Sequence, residues 1–411
     1  MVEALLAAQR ELAEKPVAWV LERLDRVAQR WLDHADPIRR EAEGRLASET
    51  GLAPTMLRLG LDQMIRRMQG IPELLDQDLG SRAALDELVR RAPGVRSQAW
   101  GPGLLVCIFA GNVPGIPAFD MAMGLALKSA VLCRPASGEP VFAELFARSV
   151  GEVDELLGRC LAVQRWGYDE TWPYEQAGAV VAYGSDESVA AVRRLVPAHV
   201  RFVGHGHKLS FAVVARESAT AQTARLLALD VAMYDQQGCL SPHMAFVERG
   251  GALSPAAFAQ VCGNALAGLE AEMPRAKLTQ AEAMALRTAR DEAEFAADAL
   301  HASQGDLAWT VVHSEAPAFL PSPLNRLLRT YAVDDLEQVT AVVKPYAAYL
   351  QTVGVAGPGQ RMGALAGALG RLGASRLCPV GQMQEPGALW RHDGGLTAGA
   401  LVRWIDMEVT E

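Results

Sequence analysis

Between residues 103 and 215, short apolar or β-branched runs alternate with helix-patterned stretches, and this alternation constrains the fold more than any other feature. The runs are LLVCIFAG, AVLCRPA, LAVQRW, GAVVAYG, VRFVGHG and LSFAVVA; helical patterns occupy 114–128, 139–157 and 186–196. Strands separated by helices run parallel and need cover on both faces. The expected class is therefore α/β. Parallel sheets bind ligands outside the carboxyl ends of their strands. Gly111, Gly184, Gly204 and Gly206 mark those ends, so a cofactor is expected there.

Upstream, Leu5, Leu12, Val17, Trp19, Val20, Leu24, Val27 and Trp31 fall at helical spacing, and 52–91 repeats the pattern, which predicts a helical N-terminal region. Downstream, a helix over about 218–234 leads into the loop DQQGCLSP, and HMAFVERGG follows as a strand. Residues 254–303 read as mostly helical. Short strands return as LAWTVVH, QTVGVAG and SRLCPVG, with helices near 334–343 and 360–371, making a second α/β unit. The ending LVRWIDMEV alternates weakly and is expected to pair with another element or another subunit. No low-complexity linker separates these parts, so the domains are interleaved rather than strung on tethers.

Bulk properties narrow the function. A chain of 411 residues has room for two or three cores. A net charge of −9 opposes a nucleic-acid groove or an anionic membrane as partner. The most apolar run, 103–119, is broken by Asn112, Pro114 and Pro117 and is too short to span a bilayer. Six scattered cysteines (Cys107, Cys133, Cys160, Cys239, Cys262, Cys378) without C-x-x-C spacing fit a reducing compartment, and a cytoplasmic location is expected. G-x-G-x-x-G, the Walker A loop, H-E-x-x-H and G-x-S-x-G are absent. His205 and His207 stand close together, but no third His or Cys follows at ligand spacing, so no metal is expected.

The loop DQQGCLSP sets Cys239 among small and polar neighbours, between a helix and a strand. A lone cysteine is more often a buried structural residue. Here Gly238 leaves the thiol approachable and lets a backbone N–H face an oxyanion, which makes Cys239 a candidate nucleophile.

Further segments stand in order around that loop: IFAGNVPGIPAF (108–119), CRPASGEP (133–140), AYGSDESV (182–189), FVGHGHKLSF (202–211) and CPVGQMQEPGALWRHDG (378–394). Together they resemble the aldehyde dehydrogenase superfamily, and within it the acyl-CoA reductase branch typified by the fatty-acyl reductase of bacterial luciferase systems. The resemblance, over roughly 100–411, implies an aldehyde-dehydrogenase-like fold of two interleaved three-layer α/β domains with a helical N-terminal region. The implied parts are 1–98, helical and packed on the cofactor domain, and 99–212, a Rossmann-like NAD(P)-binding domain. A catalytic domain carrying the cysteine would occupy 213–385, and 386–411 would return to the cofactor domain or a subunit interface.

The resemblance also implies roles. Cys239 attacks an acyl carbonyl as thiolate. Asn112 matches an asparagine whose amide joins the Cys239 N–H as oxyanion hole, with turn capping as the alternative. Gly184 and Ser185 match a Gly-Ser pair beneath the nicotinamide; a plain helix N-cap is compatible with that role. Gly204 stands where aldehyde-oxidising relatives carry a glutamate base that activates water. Without that base an acyl-enzyme persists until a thiol or hydride resolves it. Ser137 replaces the acidic residue that grips ribose hydroxyls, and Arg134 replaces a lysine. A 2′-phosphate suits that pair, hence NADPH, with NADH as the alternative because Glu139 is close. His205 or His207 is a candidate proton donor. Lys208 matches a structural lysine, and Trp390, His392 and Asp393 are candidates for closing the pocket mouth.

The expected function is NADPH-dependent reduction of a fatty acyl-CoA or acyl-protein thioester to the aldehyde through S-acyl-Cys239. The alternatives are a CoA-acylating or ordinary aldehyde dehydrogenase, and a non-catalytic nucleotide-binding relative. The expected partners are the acyl-CoA or acyl-carrier substrate and further copies of the chain. Acyl length depends on pocket depth, which sequence patterns do not encode.

Overall fold

The run Leu104–Ile108 has no polar face to offer water, so it needs cover on both sides. In the computed structural model, which describes residues 1–408, it is the middle strand of a parallel sheet. The chain forms two units. The first comprises Met1–Glu49, Arg58–Gly206 and the chain from Gly387 onward; the second comprises Thr50–Leu57 and His207–Pro386.

The first unit contains strands β1 (Val89–Ala92), β2 (Val95–Trp100), β3 (Leu104–Ile108), β4 (Ala130–Arg134), β5 (Leu161–Val163), β6 (Ala179–Tyr183) and β7 (Arg201–His205). Its parallel sheet has the order β5-β4-β3-β6-β7. The chain builds outward from β3 through β4 to β5, then returns to the other side of β3 for β6 and β7. A crevice forms at such a reversal, outside the carboxyl ends of β3 and β6. Helix Val17–Leu32 presents Val17, Val20, Leu24, Val27 and Trp31 as one buried stripe, as its spacing predicts. Trp31 lies 5.0 Å from Phe142 between ring centroids, and its indole N–H donates to Ser149 Oγ at 2.8 Å.

β1 interrupts a stretch expected to be helical. Pro93-Gly94 is a turn dipeptide with Gly94 at φ +68°, and it folds β1 back on β2.

The second unit contains β8 (Leu209–Val214), β9 (Pro242–Glu248), β10 (Ala299–Ala302), β11 (Thr310–Ser314), β12 (Leu327–Val333), β13 (Leu350–Ala356) and β14 (Arg376–Pro379). The order is β10-β11-β12-β9-β8-β13-β14, parallel except at β10 and β11. LSFAVVA, which the alternation placed with the first sheet, bonds to β9 and β13 and is β8 of this one. β12 was not anticipated: every residue of LLRTYAV is buried, so no period-two pattern marks it. Helices Ala221–Ala232 and Pro255–Glu272 cover one face through Leu227, Val231 and Phe258, while Phe211, Phe246 and Tyr331 fill the other.

In the first unit the chain ends its described part in β15 (Arg403–Glu408), antiparallel to β2 in a sheet of order β1-β2-β15. The last residue of LVRWIDMEV lies outside the described residues. Among the described residues, no helix is long and apolar enough to cross a membrane.

Candidate active site

The crevice side of the first unit holds Asn112, exposed in the bend after β3. The helix that follows, Ile116–Ala126, starts from Gly115 at φ +97°, so Asn112 is not its N-cap. Gly184 and Ser185 link β6 to helix Asp186–Leu195, and Ser185 Oγ accepts from the Ser188 N–H at 3.2 Å. Ser185 is thus the N-cap. Asp186 and Glu187 in the first turn already complement the helix dipole.

At the end of β4, Arg134 Nε donates to the Trp166 carbonyl at 3.1 Å, and its guanidinium lies 4.0 Å over the Tyr168 ring. Hydrogen bonding with Ser137 and then Arg134 holds the Tyr168 hydroxyl below its ordinary pKa. The fold therefore gathers Arg134, Ser137 and Tyr168, the last unmarked by any motif. Glu139, adjacent in sequence, is buried and turned elsewhere: its Oε1 accepts from the Phe142 N–H at 2.8 Å in the first turn of helix Val141–Val153. Burial pushes its carboxyl up to about 7.

His205 ends β7 opposite Tyr183 of β6. Their rings stack at 4.7 Å, and His392 stacks with His205 at 4.0 Å while lying 6.1 Å from Tyr183, so the three rings form a cluster. Phe109 and Trp390 extend the cluster, at 6.3 Å from Tyr183 and 4.6 Å from His392. His205 Nδ1 meets Asp393 Oδ2 at 2.7 Å. Tyr183, His205, His392 and Asp393 line a cavity of ≈ 230 Å³ with Arg67, Asp120, Phe119 and Leu396. Burial raises Asp120 above the usual carboxylate range despite His205, Tyr183 and Arg67 nearby, and its Oδ2 makes no hydrogen bond. Burial, then Asp120, pushes the Tyr183 hydroxyl well up. Gly204 borders the same cavity, and a Cβ there would meet Val189 Cγ1 at 2.6 Å and the Phe202 ring at 2.9 Å. A glutamate at 204 would have to displace both.

In the second unit Cys239 lies just ahead of β9. Five of the six cysteines are buried; Cys239 is partly open. Ser210 Oγ donates to the Cys239 carbonyl at 2.8 Å, and Gln384 Nε2 donates to Ser241 Oγ at 2.9 Å. The Arg376 guanidinium is near enough to interact with Cys239 electrostatically, and a nearby cation favours a thiolate. Beneath the loop two left-handed triplets interlock: Tyr234, Asp235 and Gln236 at φ +53°, +51° and +65°, and Leu324, Asn325 and Arg326 at +68°, +56° and +62°. Arg326 Nε donates to Asp235 Oδ1 at 2.8 Å, and Gln236 Nε2 donates to the Pro242 and Leu327 carbonyls at 2.7 and 2.9 Å.

The two histidines paired by sequence part company. His205 belongs to the first unit, whereas His207, exposed in the second, has Tyr349 at 6.2 Å. Along the sequence no third ligand stands near His205 and His207, but the fold brings His392 and Asp393 to His205, with ligand atoms within 4.8 Å of one another, a set that could hold a metal ion. His392 and Asp393, candidates for closing the pocket mouth, line the cavity and join the His205 network. Asp120, Tyr183, Asp235, Gln236 and Arg326 were not foreseen. The one local signal among these parts was the turn dipeptide Asp393-Gly394, both left-handed here.

The fold is that of the aldehyde dehydrogenases. The chain superposes on the crystal structure of a putative methylmalonate-semialdehyde dehydrogenase from Sinorhizobium meliloti complexed with NAD, with a TM-score of 0.76, 15% identity, and coverage of 100% of this chain and 89% of that one. Aldehyde dehydrogenase C from Pseudomonas syringae, complexed with NAD⁺ and octanal, gives a TM-score of 0.76 at 14% identity, covering 99% and 87%. Residues 12–404 match the family model described as acyl-CoA reductase (LuxC), and the chain belongs to that family of oxidoreductases. The long-chain acyl-protein thioester reductase of Aliivibrio fischeri is 25% identical over 93% of this chain and 80% of its own length. That of Photorhabdus luminescens is 25% identical over the same shares, 93% and 80%.

Proposed function

We propose that this enzyme reduces a long-chain acyl thioester, carried on CoA or on a protein, to the aldehyde, with Cys239 as nucleophile. The observation that carries the reading is the placement of that cysteine: the other five are buried, while Cys239 is partly open in a loop held by backbone-directed hydrogen bonds. Its sulfur attacks the acyl carbonyl, the carrier thiol departs, and an S-acyl enzyme remains. Asn112, exposed after β3, is assigned as an oxyanion donor; loss of such a donor typically costs about 10²–10³ in rate. When bound, reduced nicotinamide supplies the hydride. Collapse of the resulting thiohemiacetal on Cys239 releases aldehyde and restores the thiolate.

The absence of a base at Gly204 favours this direction over oxidation to a free acid, and a side chain there would have to displace Val189 and Phe202. Arg134, Ser137 and Tyr168 would hold the 2′-phosphate of NADPH, and Gly184 with Ser185 would lie under the dinucleotide. Glu139, engaged with Phe142, does not compete for the ribose, which favours NADPH over NADH.

The test is intact-protein mass after mixing with saturated acyl-CoAs of graded length, without cofactor. One acyl group per chain is expected, absent in Cys239→Ala, with NADPH then releasing aldehyde. Full turnover by Cys239→Ala would refute the mechanism.

A further inference from the structure

We propose that Tyr168 is a positioning residue for cofactor choice: its ring holds the Arg134 guanidinium in the orientation that receives the 2′-phosphate of NADPH. The inference rests on the NADPH reading above and concerns residues of the first unit alone.

An arginine binds phosphate best when its planar fork is fixed beforehand, because a long free side chain loses rotamer freedom on binding. Arg134 ends β4, and two groups from the bend after β5 fix it. The Trp166 carbonyl accepts from Nε at 3.1 Å, which sets one edge of the fork. The Tyr168 ring lies against the flat face, with its centroid 4.0 Å from the guanidinium carbon. Nε is thereby committed, and recognition of a phosphate falls to the terminal N–H groups.

The bend is itself braced to hold the ring there. Trp166 is buried, meets Trp172 edge to face at 5.7 Å, and its indole N–H donates to the Tyr174 hydroxyl at 3.5 Å. The Glu170 carboxylate closes the turn: Oε1 accepts from the Gly167 N–H at 2.7 Å, and Oε2 accepts from the Trp172 indole N–H. Between these fixed points Tyr168 is 76% exposed. A tyrosine this open to water buries little apolar surface, so core packing does not explain its place. What it does touch is the proposed phosphate site: the ring stacks on Arg134, and the hydroxyl hydrogen-bonds with Ser137.

The two glutamates nearest in sequence are occupied. Glu139 accepts from the Phe142 N–H, and Glu170 accepts from Gly167 and Trp172. Tyr168 is a neutral ring on a cation, so it orders the fork without neutralising the charge that a phosphate needs.

The experiment titrates the full chain with NADPH and with NADH, without acyl substrate, and follows cofactor fluorescence. The wild-type protein should favour NADPH. Tyr168→Leu removes the ring at an exposed position and should weaken NADPH by about 5-fold or more, and NADH by less than about 2-fold. Tyr168→Phe keeps the stack and should stay within about 2-fold of wild type for both cofactors. In an Arg134→Ala background Tyr168→Leu should cost nothing further, since the ring acts through the guanidinium. Equal weakening of both cofactors by Tyr168→Leu overturns the proposal, as does a further loss in the Arg134→Ala background. A Tyr168→Phe variant as impaired as Tyr168→Leu would make the hydroxyl a direct phosphate ligand, and that also overturns it. Wild-type affinity no higher for NADPH than for NADH, with Arg134→Ala altering neither, would instead sink the cofactor reading on which the proposal stands.

Discussion

Glu139 loses most of its solvent on folding, and burial pushes its carboxyl up to about 7 against the pull of the Phe142 N–H. The folded protein therefore holds this proton to higher pH than the unfolded chain, whose carboxyl titrates near 4.5. The associated stability is present below about 4.5 and is lost as pH rises toward about 7, by roughly 3 kcal/mol in total. Glu139→Gln keeps an acceptor for Phe142 and cannot ionise, so urea unfolding at a series of pH values should show a shallower decline over this window. Asp230, also raised to about 7 by burial, contributes the same sign and should account for the slope that remains. An unchanged slope in the variant would remove Glu139 from this role. Arg134 makes a second residue-scale test: Arg134→Ala should raise KM for NADPH by about 10-fold or more with a much smaller change for NADH, as expected for loss of a charge-assisted contact to phosphate. Equal changes for both cofactors would contradict a 2′-phosphate contact. Neither Glu139's inward turn nor Tyr168's place beside Arg134 was legible in the chain, since both depend on which way a side chain leaves a bend.

The elements carrying the chemistry are short and irregular. The triplets 234–236 and 324–326 put six non-glycine residues at left-handed φ, each costing roughly 1–2 kcal/mol. A buried pair links the two triplets: Arg326, fully enclosed, reaches Asp235, Glu270 and the Met273 carbonyl. Removing one partner strands the other charge, so Arg326→Met should destabilise the protein by about 3–5 kcal/mol in urea titration. Asp235→Asn added to it should recover part of that loss. A strictly additive double variant would show that the pair does not brace the loop. Helix Val17–Leu32 and strand β3 were readable because a single period governs each; the Cys239 loop has no period, and only its glycine and its position were visible.

Across the whole molecule, β15 leaves an edge in the β1-β2-β15 sheet, and Trp100, Ile405 and Met407 are 43%, 52% and 38% exposed there. Ile405 and Met407 alternate onto one face, and β15 pairs Arg403 with Trp100. Apolar side chains along an open edge favour contact with another copy. We propose that copies of the chain pair along this edge: Ile405→Lys should then give a smaller species by light scattering, with little change in unfolding temperature because the side chain is exposed, and an unchanged mass would refute that pairing. Much of the architecture followed from local chemistry alone. Alternating apolar runs demanded parallel sheets, helical stripes demanded buried faces, and a cysteine beside glycine marked an approachable thiol. Tertiary structure decided which distant groups meet. His205 finds Asp393 and His392, Asp235 finds Arg326, and β8 joins the second sheet, because hydrogen-bond partners and buried charges are selected by three-dimensional closure, which has no period along the chain.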